Sequence, residues 1–375
     1  MQAPPDSLSA FTQPAMIRAA EVWAAPRQPQ RIDGQKRGSP TCQRLALPSL
    51  ATGLVGFAVC NPKRPSRRRQ RRLSRCVLRA TKAEASKLVI CFDFDGVVCD
   101  SVDESSTAAW KHARDLWPLV STLGDSPQPF LDPMRLVRPV IETGWENTLI
   151  IRMLADANLV EAQSQKGEAE SASLLCKDIL AGWEQLRDEK VRELKLDVQG
   201  LIKGFGEVRD KWMAEDLKSW FGTNRAYDRV PDVIIQMLSS GAEVFVITTK
   251  QKRFAEALLQ DFGIKLPAGH VFALEDGPKT EVLKSLLARA EYREKNFHFI
   301  EDKLGTLRKV LKDPDLKTVK LHLASWGYCT KNDIDEVTDG LDVNLLHRSD
   351  LETPTGHAGA HAKPRQSLGV SEPWL

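Results

Sequence analysis

The sequence predicts an α/β protein in which a doubly wound, mostly parallel sheet carries an inserted α-helical domain. Five short apolar runs, rich in β-branched residues, have the length and composition of buried strands. Helix-patterned stretches alternate with the later runs, and this alternation implies right-handed crossovers between parallel strands. About 140 residues of nearly continuous helical pattern separate the first run from the second. A crossover needs only a dozen or more residues, so this excess predicts a second domain.

Residues 1–86 form a basic leader that differs in composition from the rest of the chain. The leader contains 16 Lys and Arg against 4 Asp and Glu, so its charge is near +12, whereas the remainder is near −9. It is rich in Ala, Ser, Pro, Gln and Arg and lacks sustained apolar periodicity, which is typical of organellar transit peptides. We therefore predict a disordered targeting segment and a chloroplast or plastid location, with a cytoplasmic or nuclear location as the alternative.

Two stretches of the leader bear on its partners. The uncharged run at residues 45–60 contains a proline and two glycines and is shorter than the roughly 20 residues of a membrane span. It suits the apolar part of a two-step targeting signal, and no membrane anchoring is predicted for the mature form. The basic run at residues 63–75 also fits a nuclear address or a nucleic-acid patch. Because the positive charge is confined to the leader, no nucleic-acid partner is predicted for the folded part.

The overall composition excludes several classes of protein. An apolar content of 42% is enough for a substantial core in a soluble globular protein. The seven cysteines are scattered and contain no CxxC pair, which argues against a zinc site or a disulfide framework and fits a reducing compartment. Residues 351–375 are rich in Gly, Pro, Ser and His and are predicted to be a disordered tail.

The first predicted strand, in "KLVICFDFDG" at residues 87–96, ends in two aspartates. Side chains two positions apart on an extended segment point the same way, so Asp93 and Asp95 face one site while Phe94 packs elsewhere. Two unit charges about 4 Å apart repel by roughly 4 kcal/mol at an effective dielectric near 20. Either one carboxyl group holds a proton or a cation lies between them. The alternative is that these acids cap a loop and a helix, which is the preferred interpretation for Asp100.

A helical insertion is predicted at residues 103–225. Four stretches in it have helix-spaced apolar faces: residues 106–117, 140–160, 171–194 and 204–221. The insertion follows the first strand and should cover the carboxyl ends of the strands, where open α/β sheets bind ligands. Residues at helix-compatible spacing in the insertion indicate, as a group, specificity toward a polar, multiply charged metabolite, although a solvated or packed helix face is the preferred interpretation for any single one: Arg135, Arg138, Glu142, Trp145, Glu146, Asn147, Arg209, Asp210 and Trp212.

The later runs, at residues 242–249, 270–274, 297–302 and 318–327, bring further polar groups to the same edge of the sheet. The first of them ends in Thr248 and Thr249, and the third ends in Glu301 and Asp302. A helix opens between them with Lys279 in its first turn, where a cation opposes the helix dipole. Helix N-termini collect anions, so we expect Lys279 to contact Asp93 and a bound phosphate. The alternative is a surface lysine.

These motifs, in this order, resemble those of the haloacid dehalogenase superfamily, with a Rossmann-like core at residues 87–102 and 226–350 and a cap domain in the insertion. The resemblance implies that Asp93 is the nucleophile, Asp95 the general acid/base and Lys279 the charge clamp. It further implies phosphate or substrate contacts by Thr248, Thr249 and Gly96, and a Mg²⁺ site formed by Asp93, Asp95, Glu301 and Asp302. Segments such as "ETGWEN", "FGEVRDKW" and "TTKQKRFA" resemble a plant and cyanobacterial subgroup.

The resemblance implies a Mg²⁺-dependent phosphatase that acts on a small phosphorylated metabolite through an aspartyl phosphate. In this superfamily the dehalogenases, phosphonate-cleaving enzymes and cation pumps lack an Asp at the position of Asp95, which favours phosphoryl transfer. The alternatives are a phosphomutase and a catalytically idle plastid binding or assembly factor. The sequence departs from the family pattern at two places. The acidic pair is followed by "KLGTL", where phosphoglucomutase-like members commonly have a small residue, so the resemblance does not support a mutase. Lys279 lacks the proline of the usual Lys-Pro pattern, which leaves Lys284 as an alternative lysine.

Overall fold

The structure is a computed structural model that describes residues 82–164 and 168–351. The predictions made for the leader up to residue 81 and for the tail from residue 352 lie outside the described residues. Within the described ranges, no helix combines the length and the apolar composition needed to cross a membrane.

A parallel sheet forms the centre of the fold. The strands in chain order are β1 (Leu88–Phe92), β2 (Cys99–Asp100), β3 (Arg225–Ala226), β4 (Glu243–Ile247), β5 (Val271–Phe272), β6 (Asn296–Glu301), β7 (Lys320–Ala324) and β8 (Asn344–Leu346). Six of them form one sheet in the order β5-β4-β1-β6-β7-β8, and every pairing in it is parallel. The predicted doubly wound sheet is thus confirmed. Strand β8 was not predicted.

Helices connect the strands and form the insertion. They are α1 (Lys82–Ala85), α2 (Val102–Leu116), α3 (Pro118–Thr122), α4 (Gln128–Val137), α5 (Gly144–Ser164), α6 (Glu168–Glu193), α7 (Val198–Gly222), α8 (Val230–Ser239), α9 (Lys252–Asp261), α10 (Lys279–Leu287), α11 (Leu304–Lys312) and α12 (Lys331–Thr338). Helices α2 to α7 all lie between β2 and β3. Together with the parallel sheet, this helical segment agrees with an α/β fold that carries a helical insertion.

Both faces of the sheet are covered, because alternate residues of each central strand point to opposite sides. On β1, Val89 and Cys91 belong to a core cluster that includes buried residues of α10 and α11. Ile90 and Phe92 belong to a second cluster with α8, α9 and the helical segment. Every residue of β1 is therefore buried, as expected for a strand in the middle of a parallel sheet.

The helical pattern predicted from residue 140 differs from the structure at its start. A short 3₁₀ turn at Arg138–Val140 precedes a loop of residues 141–143, and helix α5 begins only at Gly144. The hydroxyl of Thr143 donates to Glu146 Oε1 at 2.8 Å, and the N–H of Glu142 donates to Glu146 Oε2 at 3.1 Å. Thr143 and Glu146 thus have the spacing of a capping box. The loop of residues 141–143, which precedes this cap, lies over the edge of the sheet.

Candidate active site

The predicted nucleophile lies at the carboxyl edge of the sheet, between two neighbouring strands. Asp93 follows the last residue of β1, and its N–H donates to the carbonyl of Ile300 on β6 at 2.9 Å. Glu301 is the last residue of β6, and Asp302 follows it. Because β1 and β6 are paired in parallel, their ends meet and the three carboxyl groups are brought together. Their oxygens lie within 4.8 Å of one another.

Lys279 contacts this cluster directly. It is the first residue of α10, and its Nζ lies 2.8 Å from Asp93 Oδ1 and 2.7 Å from Glu301 Oε2. Burial lowers the pKa of Lys279, but the two carboxylates outweigh burial and raise it. Lys284 instead lies 3.0 Å from Glu281 and 2.8 Å from Asp313. The structure thus places Lys279, and not Lys284, beside Asp93.

The three clustered carboxyl groups carry more negative charge than Lys279 compensates. Burial, with repulsion from Glu301, raises the pKa of Asp93 to about 8. Burial also raises the pKa values of Glu301 and Asp302. Asp302 Oδ1 is buried and has no hydrogen-bond partner among the described residues, whereas its Oδ2 accepts from the N–H of Tyr328 at 2.8 Å. These features suit a hard divalent cation, because Mg²⁺ prefers oxygen ligands and would relieve the repulsion.

Glu301 differs from the other two acids in the cluster. Its Oε2 accepts from Lys279, and its Oε1 accepts from the N–H of Lys303 at 3.1 Å. Both of its oxygens are therefore occupied, whereas Asp302 has one oxygen free of the described residues. The arrangement fits Asp93 and Asp302 as carboxylate ligands of a metal, with Glu301 orienting Lys279. The predicted metal ligation by Glu301 stays a prediction, because Glu301 belongs to the same group of acids.

Gly96 provides space for Asp302. It has φ +89°, and a Cβ atom at this position would lie 1.9 Å from Asp302 Oδ2. Only glycine combines this backbone conformation with so close an approach. The Gly96 N–H donates to the carbonyl of Cys99 at 2.8 Å, so it is already engaged. The structure thus gives Gly96 a packing role beside Asp302, and its predicted phosphate contact stays a prediction.

Asp95 takes part in a separate ion pair. Its Oδ1 accepts from Lys250 Nζ at 3.0 Å and from the hydroxyl of Ser101. Burial alone would raise the pKa of Asp95, but Lys250, Arg138 and the hydroxyl of Ser101 outweigh burial and lower this pKa to about 2. The side chain is therefore outside the carboxyl cluster of Asp93 and is ionised at neutral pH. Its predicted role as a metal ligand rests on its backbone carbonyl and stays a prediction.

A buried chain of charges extends from Asp95 into the helical segment. Lys250 Nζ also lies 3.5 Å from Glu104 Oε2 on α2. Both oxygens of Glu104 accept from Arg209 on α7, at 2.7 and 2.8 Å. Glu104 also accepts from the indole N–H of Trp220 at 3.1 Å. Two acids and two bases thus neutralise one another in a buried network that joins the helical segment to the sheet.

Sequence reasoning missed Lys250, and it missed the ion pair between Glu104 and Arg209. The signal for Lys250 was present, since this lysine follows Thr249 at the same sheet edge where Lys279 was singled out. Glu104 and Arg209 are 105 positions apart. No local pattern predicts a contact over that separation.

The two threonines after β4 are placed differently. Thr249 lines the cleft, and its hydroxyl donates to the carbonyl of Glu142 at 3.0 Å. Thr248 is buried, and its hydroxyl oxygen accepts from the N–H of Lys250 at 3.1 Å. Its predicted phosphate contact stays a prediction.

The loop of residues 141–143 closes over this edge of the sheet. The carbonyl of Ile141 accepts from Lys303 Nζ and, at 3.0 Å, from Arg138 Nη1. The carboxylate of Glu142 lies 3.3 Å from Lys309 Nζ. Burial, with repulsion from Arg138, lowers the pKa of Lys303 to about 8. The helical segment therefore forms the roof of the cleft through this loop.

The cleft consists of two adjoining cavities. The larger, of about 190 Å³, is lined by residues that include Asp93, Asp95 and Lys279. The smaller, of about 60 Å³, is lined by Asp95 but not by Asp93. The cavities share five lining residues: Asp95, Arg138, Ile141, Glu142 and Thr249. Asp95 thus lies where the two cavities meet.

The candidate specificity residues divide into two groups. Five of them line the cleft: Arg138, Glu142, Trp145, Asn147 and Arg209. The other four have structural partners: Arg135 pairs with Asp103 and Asp132, Glu146 accepts from Trp183, Asp210 pairs with Arg253, and Trp212 donates to Ser219. Helical spacing alone did not separate the two groups, because it does not show which side chains find a partner elsewhere in the chain, and Arg138 and Glu142 precede the α-helix that begins at Gly144.

The chain is similar to one protein-family model and to several solved structures. A family model described as haloacid dehalogenase-like hydrolase matches residues 88–305, which is more than half of the chain. The solved structure of a predicted phosphoglycolate phosphatase from Haemophilus somnus has 15% sequence identity to this chain and a TM-score of 0.40. The match covers 66% of this chain and 88% of that one. A predicted phosphatase from Clostridium acetobutylicum is 13% identical with a TM-score of 0.40, over 70% and 95%. A haloacid dehalogenase-like family protein from Streptococcus pneumoniae is 14% identical with a TM-score of 0.39, over 71% and 96%. No curated protein matches the chain significantly.

Proposed function

Because the chain belongs to the haloacid dehalogenase-like hydrolases, we propose that it is a Mg²⁺-dependent phosphatase that cleaves a small phosphorylated metabolite through an aspartyl phosphate on Asp93. The observation that carries this proposal is that Asp93, which forms a salt bridge with Lys279, lines the same cavity as a second carboxylate, Asp95. A nucleophile and a proton-transfer group therefore face the same substrate.

The charged side chains around Asp93 would favour the binding of an anionic substrate only if a metal cation were also bound. Four basic and four acidic residues line the larger cavity, so the side chains alone offer no net attraction: Arg138, Lys279, Lys303 and Lys309 against Asp93, Asp95, Glu142 and Glu301. In our proposal Asp93 and Asp302 hold Mg²⁺, with the Asp95 carbonyl as a further ligand. The ion would offset the repulsion between a carboxylate and a phosphate dianion.

The chain's own residues account for two displacements. Asp93 is held in one orientation because its Oδ1 accepts from Lys279 and, at 2.7 Å, from the N–H of Phe94. A carboxylate oxygen of Asp93 attacks phosphorus, and the ester P–O bond breaks as Asp95 gives a proton to the departing oxygen. Asp95 then takes a proton from water, the water oxygen attacks phosphorus, and the bond to Asp93 breaks to release phosphate.

The proton state of Asp95 changes between these steps. With a pKa near 2 it is ionised at neutral pH, which suits the acceptance of a proton from water. The first step needs the protonated form, and a phosphate dianion beside Asp95 favours that form because like charge raises a carboxyl pKa.

Removal of divalent cations tests the proposal. With acetyl phosphate as substrate, we expect EDTA to stop phosphate release and excess Mg²⁺ to restore it. Mg²⁺ should also raise the melting temperature of the wild-type protein, because a ligand that binds only the folded state stabilises it. This shift should be lost in Asp302→Asn, whereas the exposed control Asp339→Asn should keep it. Undiminished hydrolysis in EDTA would rule out the metal dependence.

We further propose a plastid location and membership of the plant and cyanobacterial subgroup, on the strength of the leader and the sequence segments described above. Fusion of residues 1–86 to a fluorescent protein should direct it to chloroplasts in leaf cells, whereas the fluorescent protein alone should stay in the cytosol. Nuclear or cytosolic fluorescence of the fusion would contradict the assignment.

A further inference from the structure

Two basic residues of the cleft have no carboxylate in salt-bridge contact within the described residues. Arg138 begins the short turn that precedes the loop of residues 141–143, and Lys303 follows Asp302 at the end of β6. Both line the larger cavity. The protein contacts of their charged nitrogens are with the carbonyl of Ile141, and Asp302 attracts both cations only from a longer distance.

The other basic residues of the cleft differ from these two. Each of them forms a salt bridge with a carboxylate: Lys250 with Asp95, Lys279 with Asp93, Lys309 with Glu142, and Arg209 with Glu104. Their positive charge is therefore compensated within the protein. Arg138 and Lys303 are the cations of the described cleft that an anionic ligand can pair with.

Arg138 and Lys303 converge on a single uncharged oxygen. The carbonyl of Ile141 accepts from Arg138 Nη1 at 3.0 Å and also from Lys303 Nζ. A carbonyl oxygen has two lone pairs and can accept both hydrogen bonds, but it has no net charge to offset the repulsion between two cations. Arg138 is only 8% exposed, and buried charges are normally paired. An anion in contact with both residues would supply the missing charge.

The guanidinium of Arg138 is held in place for such a contact. Its central carbon lies 4.1 Å from the centre of the Tyr328 ring. The hydroxyl of Tyr328 donates to Asp100 Oδ1 at 2.9 Å and accepts from the N–H of Ser101 at 2.9 Å, so the ring itself is fixed. A guanidinium in a fixed orientation suits a carboxylate or a phosphate, because either group can accept two of its N–H bonds at once.

The position of Arg138 distinguishes this anion from the phosphoryl group that is transferred. In the proposed reaction the phosphoryl group meets Asp93, where Lys279 and Mg²⁺ offset its charge. Arg138 also lines the smaller cavity, which Asp93 does not line. Arg138 therefore extends to a part of the cleft beyond the nucleophile, where the remainder of the substrate must lie.

We propose that the substrate is a phosphate ester with a second anionic group, either a carboxylate or another phosphate, and that Arg138 and Lys303 bind this second group. The proposal rests on the phosphatase activity proposed above and deepens it. It keeps the multiply charged metabolite that the sequence suggested. It assigns recognition of the second charge to Arg138 and to Lys303, a residue that sequence reasoning did not single out.

Two matched pairs of substrates test the proposal. Glycerol 3-phosphate differs from 3-phosphoglycerate in having a hydroxymethyl group in place of the carboxylate, and fructose 6-phosphate lacks one phosphate of fructose 1,6-bisphosphate. With the full-length protein and Mg²⁺, we expect kcat/KM to be at least roughly tenfold higher for the doubly anionic member of one pair, because hydrogen bonds between charged groups are strong. The first pair detects a carboxylate and the second a phosphate. Preference for the doubly anionic member in neither pair would overturn the proposal.

Variants of the two cations test the residues. Arg138→Met and Lys303→Met should each lower the ratio of kcat/KM between the two members of the preferred pair by roughly tenfold. Lys303→Arg keeps the charge and should keep most of the preference. The exposed control Arg293→Met should leave the ratio unchanged.

The ratio also separates recognition from a purely structural role. If Arg138 and Lys303 only hold the loop of residues 141–143 onto the sheet, their loss lowers both values of a pair together and leaves the ratio unchanged. That result in a folded variant would overturn the assignment. Melting temperatures identify a variant that fails to fold, and the other variant then decides.

Acetyl phosphate, which has no second anionic group, separates this proposal from the proposed function. If acetyl phosphate is hydrolysed but neither doubly anionic ester is preferred over its partner, the second-anion proposal is wrong and the phosphatase activity stands. If none of these compounds is hydrolysed, the phosphatase proposal fails and the second-anion proposal fails with it.

Discussion

Asp93→Asn is expected to abolish turnover, with kcat lower by roughly 10⁴-fold or more. The amide of asparagine has nearly the same shape as the carboxyl group, but it is a poor nucleophile and cannot form the acyl phosphate. The neighbouring carboxylates have other roles: Glu301 is held by Lys279 and Lys303, Asp95 is held by Lys250, and in our proposal Asp302 holds Mg²⁺. The measurement is phosphate release from acetyl phosphate with saturating Mg²⁺.

The control for this variant separates catalysis from folding. Asp93 is one of three crowded carboxyl groups whose pKa values are raised by burial, so its neutralisation should not destabilise the metal-free protein. We expect a melting temperature at or above that of the wild type. Wild-type-like hydrolysis by a folded Asp93→Asn protein would refute the assignment of the nucleophile.

Arg209→Met is expected to be the most destabilising single change in the charge network. Arg209 and Glu104 are 5% and 0% exposed, and truncation of the arginine leaves a buried carboxylate with only Lys250 and Trp220. The loss of one partner of a buried pair costs about 3–5 kcal/mol, because the other charge stays buried without full compensation. Denaturant unfolding followed by tryptophan fluorescence measures this loss.

The chain contains a matched control for this prediction. Arg253 also binds a carboxylate through two nitrogens, at 2.8 and 2.7 Å from Asp210, but both side chains of this pair are nearly half exposed. Arg253→Met should therefore cost no more than about 1 kcal/mol. Equal losses for the two variants would show that burial does not set the strength of the network.

The parts of the site that lie at strand ends were predictable from the sequence. Asp93 ends one apolar run and Glu301 and Asp302 end another, and parallel strands place their carboxyl ends at the same edge. Lys279 was predictable for a similar reason, because it opens the helix that follows a neighbouring strand. Their catalytic roles stay predictions until they are measured.

Other features depended on contacts that no local pattern records. Strand β8 is only three residues long and half-buried, so it lacks the long apolar run by which the other strands were found. The pairing of Arg209 with Glu104 joins two helices that are far apart in the sequence. Because each of these residues alone resembles one on a solvated helix face, helical periodicity suggested specificity for Arg209 where the structure shows a buried ion pair.

The most direct test of the central proposal is to trap the covalent intermediate. Wild-type protein would be acid-quenched during turnover of acetyl phosphate with Mg²⁺, reduced with borohydride, digested and examined by mass spectrometry. Borohydride converts a phosphorylated aspartate to homoserine, and we expect homoserine at position 93. Homoserine at another position, or an unmodified residue 93 under conditions of rapid turnover, would contradict the proposed mechanism.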